Sequence, residues 1–138
     1  MTPERLAPLL AAARAAAQQA YCPYSHFRVG AVLLGRDGRL FTGCNIENAS
    51  YGLSLCAERV ALSRAVAEGV REFAALVLVA GGNPPATPCG ACRQVLSEFC
   101  DAAMPVICAA LKADEEIPLR HLTIGALLPH AFSLDRSV

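Results

Sequence analysis

The chain has 138 residues, of which 54% are hydrophobic and 17% charged, and its formal net charge is zero. That length fits one domain, residues 1–138, with a real hydrophobic core. The sequence has no basic run of the kind that grips a polyanion, which argues against nucleic acid or an anionic membrane as partner.

Aromatic residues make up 6% and Trp is absent, so the core must rest on Ala, Val, Leu and Ile. Such an apolar small chain is expected to bury part of its surface between subunits. The Ala-rich opening carries Arg14, Gln18 and Gln19 and lacks the signal-peptide pattern. The best apolar run, Ala74 to Ala80, is too short to span a bilayer. Seven cysteines, an odd number, argue against a disulfide framework and for metal or redox chemistry in a reducing compartment. The expected location is the cytoplasm.

Thr2-Pro3-Glu4 reads as a helix start, with Leu6, Leu9, Leu10, Ala13 and Ala17 at helical spacing. A strand is expected over Phe27–Leu34, a hairpin turn over Gly35–Gly38 and a second strand over Arg39–Cys44. A polar loop, Asn45–Ser54, precedes a helix from about Leu55 to Glu68, stopped by Gly69. Phe73–Ala80 is a central buried strand. After a loop dense in Gly and Pro come a helix from about Cys89 to Phe99 and a strand over Pro105–Leu111. A weaker strand over Ile117–His121 and a short helix over Ile124–Leu128, capped by Thr123, complete the chain. The order α, β, β, α, β, α, β, β, α predicts one mixed five-stranded sheet with helices on both faces, a three-layer α/β/α arrangement.

Two motifs carry chemistry: Cys56-Ala57-Glu58 and Pro88-Cys89-Gly90-Ala91-Cys92. Cys89 and Cys92 share one helix face. Thr87 is the expected cap of their helix with Pro88 at its first position, and Ser54 the expected cap of the helix that starts near Cys56. Two helix N-termini then present three thiols to one point, where the dipoles favour thiolates. Three cysteine ligands leave the fourth position of a zinc ion open, as a catalytic site requires. Glu58, two residues from Cys56, faces that position as a proton carrier. Cys-Gly-Ala-Cys alone also fits a thiol-disulfide oxidoreductase using Cys89 and Cys92. A fourth cysteine from Cys22, Cys44, Cys100 or Cys108 would close a structural zinc site instead.

Taken together these residues resemble the cytidine and deoxycytidylate deaminase superfamily, whose zinc ligands can be all cysteine and whose glutamate is not a ligand. The closer resemblance is to the small homotetrameric cytidine deaminases. It runs through Tyr24-Ser25-x-Phe27-x-Val29-Gly30-Ala31, Gly43-Cys44-Asn45-Ile46-Glu47-Asn48-Ala49-Ser50-Tyr51-Gly52, Cys56-Ala57-Glu58-Arg59, Pro88-Cys89-Gly90-Ala91-Cys92-Arg93-Gln94 and Leu127-Leu128-Pro129 with Phe132. The resemblance implies a cytidine-deaminase-like fold and one zinc per chain on Cys56, Cys89 and Cys92. The implied reaction is hydrolysis of cytidine and deoxycytidine to the uridines and ammonia, with zinc-activated hydroxide adding at C4 and Glu58 moving protons.

The resemblance further implies that Asn45 and Glu47 hold the ribose and that Phe27 stacks near the pyrimidine. Ala57 joins the substrate site, and Ala49, Tyr51 and Phe132 reach a neighbouring subunit's site in a homotetramer. Without it, Asn45-x-Glu47 reads as an ordinary loop, and Phe27 and Phe132 as core. Arg59 has its own logic: three thiolates and Zn²⁺ sum to a charge of −1, and a guanidinium on the sulfurs restores electrophilicity. A surface salt bridge is the alternative for Arg59. The rival enzyme is a deaminase of another cytosine nucleoside, such as blasticidin S, in which the Asn-x-Glu pair is not expected. No organic cofactor is expected.

Overall fold

The computed structural model describes residues 1–136; Ser137 and Val138, the end of the expected domain, lie outside the described residues. Helix α1 spans Pro3–Ala17, with Pro3 in its first turn and the Thr2 hydroxyl accepting the Arg5 N–H at 3.3 Å. Strands β1 (Val29–Gly35) and β2 (Leu40–Cys44) form the hairpin, closed by Gly38 at a φ of 91°. Positive φ is cheap only for glycine, which is why the turn sits there. A single 3₁₀ turn, Tyr51–Leu53, precedes α2 (Ala57–Ala67). Then follow β3 (Phe73–Ala80), α3 (Gly90–Phe99), β4 (Pro105–Ala110), β5 (Arg120–Thr123) and α4 (Ile124–Leu127).

The five strands make one sheet in the order β2-β1-β3-β4-β5. All neighbours are antiparallel except the parallel pair β3–β4, so the mixed sheet expected from the element order is present. Side chains alternate across its two faces, as strand geometry demands. Val32, Val77, Val79, Ile107 and Ala109 pack against Leu6, Leu9, Ala13 and Ala17 of α1. On the opposite face Ala31, Leu33, Leu76, Leu78, Val106 and Cys108 pack with Ala57, Ala61, Leu62, Leu96, Ile124 and Leu127 from the other helices. Burying each of the larger side chains contributes about 1.5–3 kcal/mol before conformational entropy is subtracted.

Two glycines set how near the helices come. A Cβ on Gly30 of β1 would lie 2.0 Å from the Ala13 carbonyl oxygen of α1. A Cβ on Gly43 of β2 would lie 2.3 Å from the Ala57 carbonyl oxygen and 2.6 Å from the Ala61 nitrogen of α2. Neither helix could keep its place over a side chain. The Ala57–Ala61 face of α2 therefore rests almost directly on the sheet, which fixes the height of its N-terminus.

Three elements start two or three residues later than the sequence expectation, and each shift has a hydrogen-bond reason. Strand β1 begins at Val29 rather than Phe27 because the preceding amides are already used. Tyr24 and Ser25 donate to Glu47, His26 to the Cys22 carbonyl, and Phe27 to the Ser25 hydroxyl. Helix α2 begins at Ala57 because the Leu55 N–H and carbonyl pair with Ile46 at 2.8 and 2.9 Å. Strand β5 begins at Arg120, three residues late: Glu116 and Ile117 donate to Asp114, and Pro118 has no N–H for a ladder. Among the described residues no helix is long and apolar enough to cross a membrane.

Candidate metal and substrate site

Both sulfur-bearing helices are capped two residues later than expected. Cys56 is itself the N-cap of α2 and Cys89 the N-cap of α3, each with extended backbone. Cys92 then lies in the first turn of α3 and is fully buried. The polar side chains expected as caps do other work. Ser54 accepts the Asn48 N–H at 3.1 Å, and Thr87 accepts from Arg93 at 2.9 Å. A cysteine at N-cap sits at the positive end of the helix dipole, where negative charge is favoured, although neither sulfur accepts a capping hydrogen bond from the first turn.

The sulfurs of Cys56, Cys89 and Cys92 all lie within 4.8 Å of one another. The Cys56–Cys89 separation is 3.7 Å. Zinc–sulfur bonds of about 2.3 Å at tetrahedral angles place ligand sulfurs about 3.8 Å apart, so this donor set fits zinc in size and chemistry. Cys22, Cys44, Cys100 and Cys108 stand outside the cluster, and among the described residues no fourth His, Cys, Asp or Glu joins it. That leaves a three-sulfur centre rather than the closed four-ligand kind.

The charges bear this out. The Cys56 thiol is lowered to about 5, first by its hydrogen bond with Cys92 and then by Arg59 and Cys89. The Cys92 thiol moves the other way, raised chiefly by its bond to Cys56 and by burial. Adjacent sulfurs cannot both ionise unaided: one thiolate forms at its neighbour's expense, and a cation between them removes the conflict. Arg59 supplies part of that positive charge, its Nη2 donating to the Cys56 sulfur at 3.5 Å. Its buried Nε has no hydrogen-bond partner among the described residues.

Beside the cluster opens a cavity of about 340 Å³. Leu78 and Ala80 of β3 line it together with Val29, Leu55, Ala57, Glu58, Thr87, Cys56 and Cys89. Glu58 is only 4% exposed, and burial, followed by the charge on Cys56, raises its carboxyl to about 7. An acid poised near neutrality in a cleft is suited to giving and taking protons.

Asn45, Glu47, Phe27, Tyr51 and Ser25 also line the cavity. Asn45 accepts the Val29 N–H at 2.9 Å and donates to the Phe27 carbonyl at 2.7 Å, so it ties the loop after β2 to the start of β1. One Glu47 oxygen accepts the N–H groups of Tyr24 and Ser25 at 2.9 and 3.2 Å, and the other accepts the Ser25 hydroxyl. The Ser25 hydroxyl, with the backbone amides, holds the Glu47 carboxyl below its ordinary value. Glu47 is thus an oriented, ionised group with lone-pair capacity left for a ligand hydroxyl.

Of the residues implied by the resemblance, the structure brings Cys56, Cys89, Cys92, Glu58, Arg59, Ala57, Phe27, Asn45, Glu47 and Tyr51 to this one place. Ala49 and Phe132 do not line the cavity, and both are exposed. Phe132 is 68% exposed, which rules out a plug in its own core. Sequence reasoning missed Ser25, Thr87 and the side chain of Arg93. Ser25 and Arg93 act through Glu47 and Leu127, 22 and 34 residues along the chain, and only their place inside the quoted motifs marked them. Thr87 was read as a cap and instead accepts from Arg93.

Residues 3–110 match the family described as the cytidine and deoxycytidylate deaminase zinc-binding region. A cytidine deaminase from Sporosarcina psychrophila is 52% identical over 127 residues, covering 92% of this chain and 90% of the relative. One from Mycobacterium tuberculosis is 44% identical, covering 87% and 84%. The crystal structure of cytidine deaminase from Burkholderia pseudomallei superposes with a TM-score of 0.86 at 48% identity, covering 96% of this chain and all of that one. The fold and the three-sulfur centre are those of a zinc-dependent deaminase. The chain belongs to the cytidine and deoxycytidylate deaminase family.

The cluster makes a direct prediction for metal content. The Cys89→Ala protein is expected to lose its zinc, whereas Cys22→Ala and Cys108→Ala should each retain one ion per chain. Full zinc content after Cys89→Ala, measured by atomic emission, would remove Cys89 from the ligand set.

Proposed function

We propose that this chain, working as one catalytic domain, hydrolyses cytidine and 2′-deoxycytidine to uridine and 2′-deoxyuridine with release of ammonia. The observation that carries the reading is one cavity walled by the three-cysteine cluster, the buried acid Glu58 and the Asn45–Glu47 pair. The names of the relatives support the same substrate class. No Lys or Arg is among the described residues lining the cavity, so a 5′-phosphate would find no cation there. This favours the nucleoside over the nucleotide.

Cys56, Cys89 and Cys92 would hold the zinc. When bound, it supplies the Lewis acidity that makes a water nucleophilic near neutral pH. Glu58, protonated until about pH 7, donates to N3 of the ring as oxygen adds at C4. It takes one proton back from the attacking water and passes it to the amino group, and it recovers the proton left on the C4 hydroxyl as the C4–N bond breaks, C4=O forms and ammonia leaves. The two protons of water thus end on N3 and on the leaving nitrogen. Asn45 and Glu47 bind the ribose, Phe27 stacks on the pyrimidine, Ala57 lines the base pocket, and Arg59 offsets the excess charge of three thiolates.

A dithiol oxidoreductase is disfavoured because Cys56 stands 3.7 Å from Cys89, making a trio rather than a pair. A blasticidin-type deaminase is disfavoured by Asn45-x-Glu47. Seven free cysteines support a reducing, cytoplasmic location.

We also infer a homotetramer in which Ala49, Tyr51 and Phe132 reach into a neighbour's cavity. Tyr51, Leu53, Leu55 and Phe132 are exposed apolar side chains, at 62, 69, 44 and 68%, and Tyr51 and Leu55 line the cavity. A neighbour covering that face would exclude water and strengthen every polar contact inside.

Ultraviolet assay of the purified protein is expected to show turnover of cytidine and deoxycytidine, loss of activity with a zinc chelator, and very poor turnover of free cytosine. In the same assay Glu58→Gln should keep its zinc yet lose more than the roughly 10²–10⁴-fold of one proton transfer, because Glu58 moves two. Cytosine reacting as well as cytidine, or Glu58→Gln within about tenfold of the parent, contradicts this reading.

Subunit sharing is tested by co-expressing Glu58→Ala chains with Phe132→Ala chains. Mixed oligomers should be more active than either variant alone, since some cavities then combine an intact Glu58 with a neighbour's intact Phe132. Activity equal to the average of the two, or a monomer by light scattering, rules sharing out.

A further inference from the structure

Cys89 is the exposed member of the sulfur trio, and no side chain caps the helix it begins. Burial does not fix its sulfur, so its backbone must be fixed by something else. Four residues later, Arg93 does this from both sides. Its backbone N–H donates to the Cys89 carbonyl at 3.0 Å, the first hydrogen bond of α3. Its side-chain Nε donates to the Pro88 carbonyl at 2.7 Å. The two peptide groups flanking Cys89 are thus both tied to one residue.

The rest of the guanidinium reaches further. Nη2 donates at 2.9 Å to the hydroxyl of Thr87, a cavity-lining residue, and Nη1 donates at 2.8 Å to the carbonyl of Leu127. Leu127 is the last residue of α4, where a carbonyl has no helical donor to accept from. Next to Arg93, Gln94 holds the Phe132 carbonyl at 3.2 Å. One planar fork therefore joins the ligand loop to the end of α4, and only a guanidinium presents donors in that fixed arrangement. Its partners are two carbonyls and a hydroxyl, so its work is geometric and differs from that of Arg59, which meets a sulfur.

We propose that Arg93 is the positioning residue of the metal site: it locks Thr87–Cys89 against the end of α4 and so holds the Cys89 sulfur in place to bind zinc. The inference rests on Cys89 being a zinc ligand.

The test measures zinc release from the loaded enzyme to a chromophoric chelator, each protein held the same interval below its own Tm. Absorption of the Co²⁺-loaded proteins is recorded alongside. Arg93→Ala should release zinc about 10–100 times faster than the parent, the usual effect of losing a group that orients a ligand. Its Co²⁺–thiolate bands should shift. Arg93→Lys keeps the charge but not the fork, and should show part of the same acceleration.

A merely structural role would lower Tm while leaving the matched release rate and the Co²⁺ spectrum unchanged, and that result for Arg93→Ala overturns the proposal. If Arg93→Ala does not fold, Arg93→Lys decides by the same two readouts. A Cys89→Ala arm separates the causes. Zinc retained there overturns the ligand reading itself. Zinc lost there but held at the parent's rate in both Arg93 variants overturns only the role of Arg93.

Discussion

Three sulfurs held within 4.8 Å of one another are the constraint on which the rest of this structure depends. Gathered thiolates repel, and no apolar core would choose the arrangement. It becomes tenable because two helices begin at the same place, each offering the positive end of its backbone, and because Arg59 adds a full charge. Bringing the helices there is the task of the fold. Glycine at 43 and alanines at 57 and 61 let α2 lie on the sheet at a distance no larger side chain allows.

The same convergence creates the environment of Glu58. One turn of α2 carries both the sulfur ligand Cys56 and, two residues on, a carboxyl that the packing of α2 on the sheet leaves 4% exposed. Burial and the adjacent sulfur charge both favour the protonated form, which keeps a proton available near neutrality. Opposite this acid, Glu47 is a carboxylate of reverse character, exposed to three hydrogen-bond donors and held ionised. Two glutamates in one cavity thus have their protonation pushed apart by their surroundings, which suits one to moving protons and the other to accepting hydrogen bonds.

Much of this was legible in the residues. The order of elements is as read, β3 has the bounds expected, and the Thr2 and Thr123 caps are present. Those features follow from local chemistry and from apolar runs. The boundaries that moved are those where a partner outside the element claims a backbone group: Ile46 for Leu55, Glu47 for Tyr24 and Ser25, Asp114 for Ile117. The caps of α2 and α3 moved for a related reason, since Ser54 and Thr87 were expected to serve local N–H groups but bond to Asn48 and Arg93. The sulfur trio was visible as two motifs, but the fork of Arg93, 34 residues from its Leu127 partner, leaves no periodic or local signal. Phe132 shows a different limit: its apolar character suggested a core, and it is 68% exposed.

An open three-sulfur zinc centre can be read by zinc K-edge X-ray absorption of the purified protein. Three sulfur neighbours at about 2.3 Å and one nitrogen or oxygen neighbour at about 2.0–2.2 Å are expected. Four sulfur neighbours, the signature of a closed structural site, would contradict it, as would a spectrum with fewer than three.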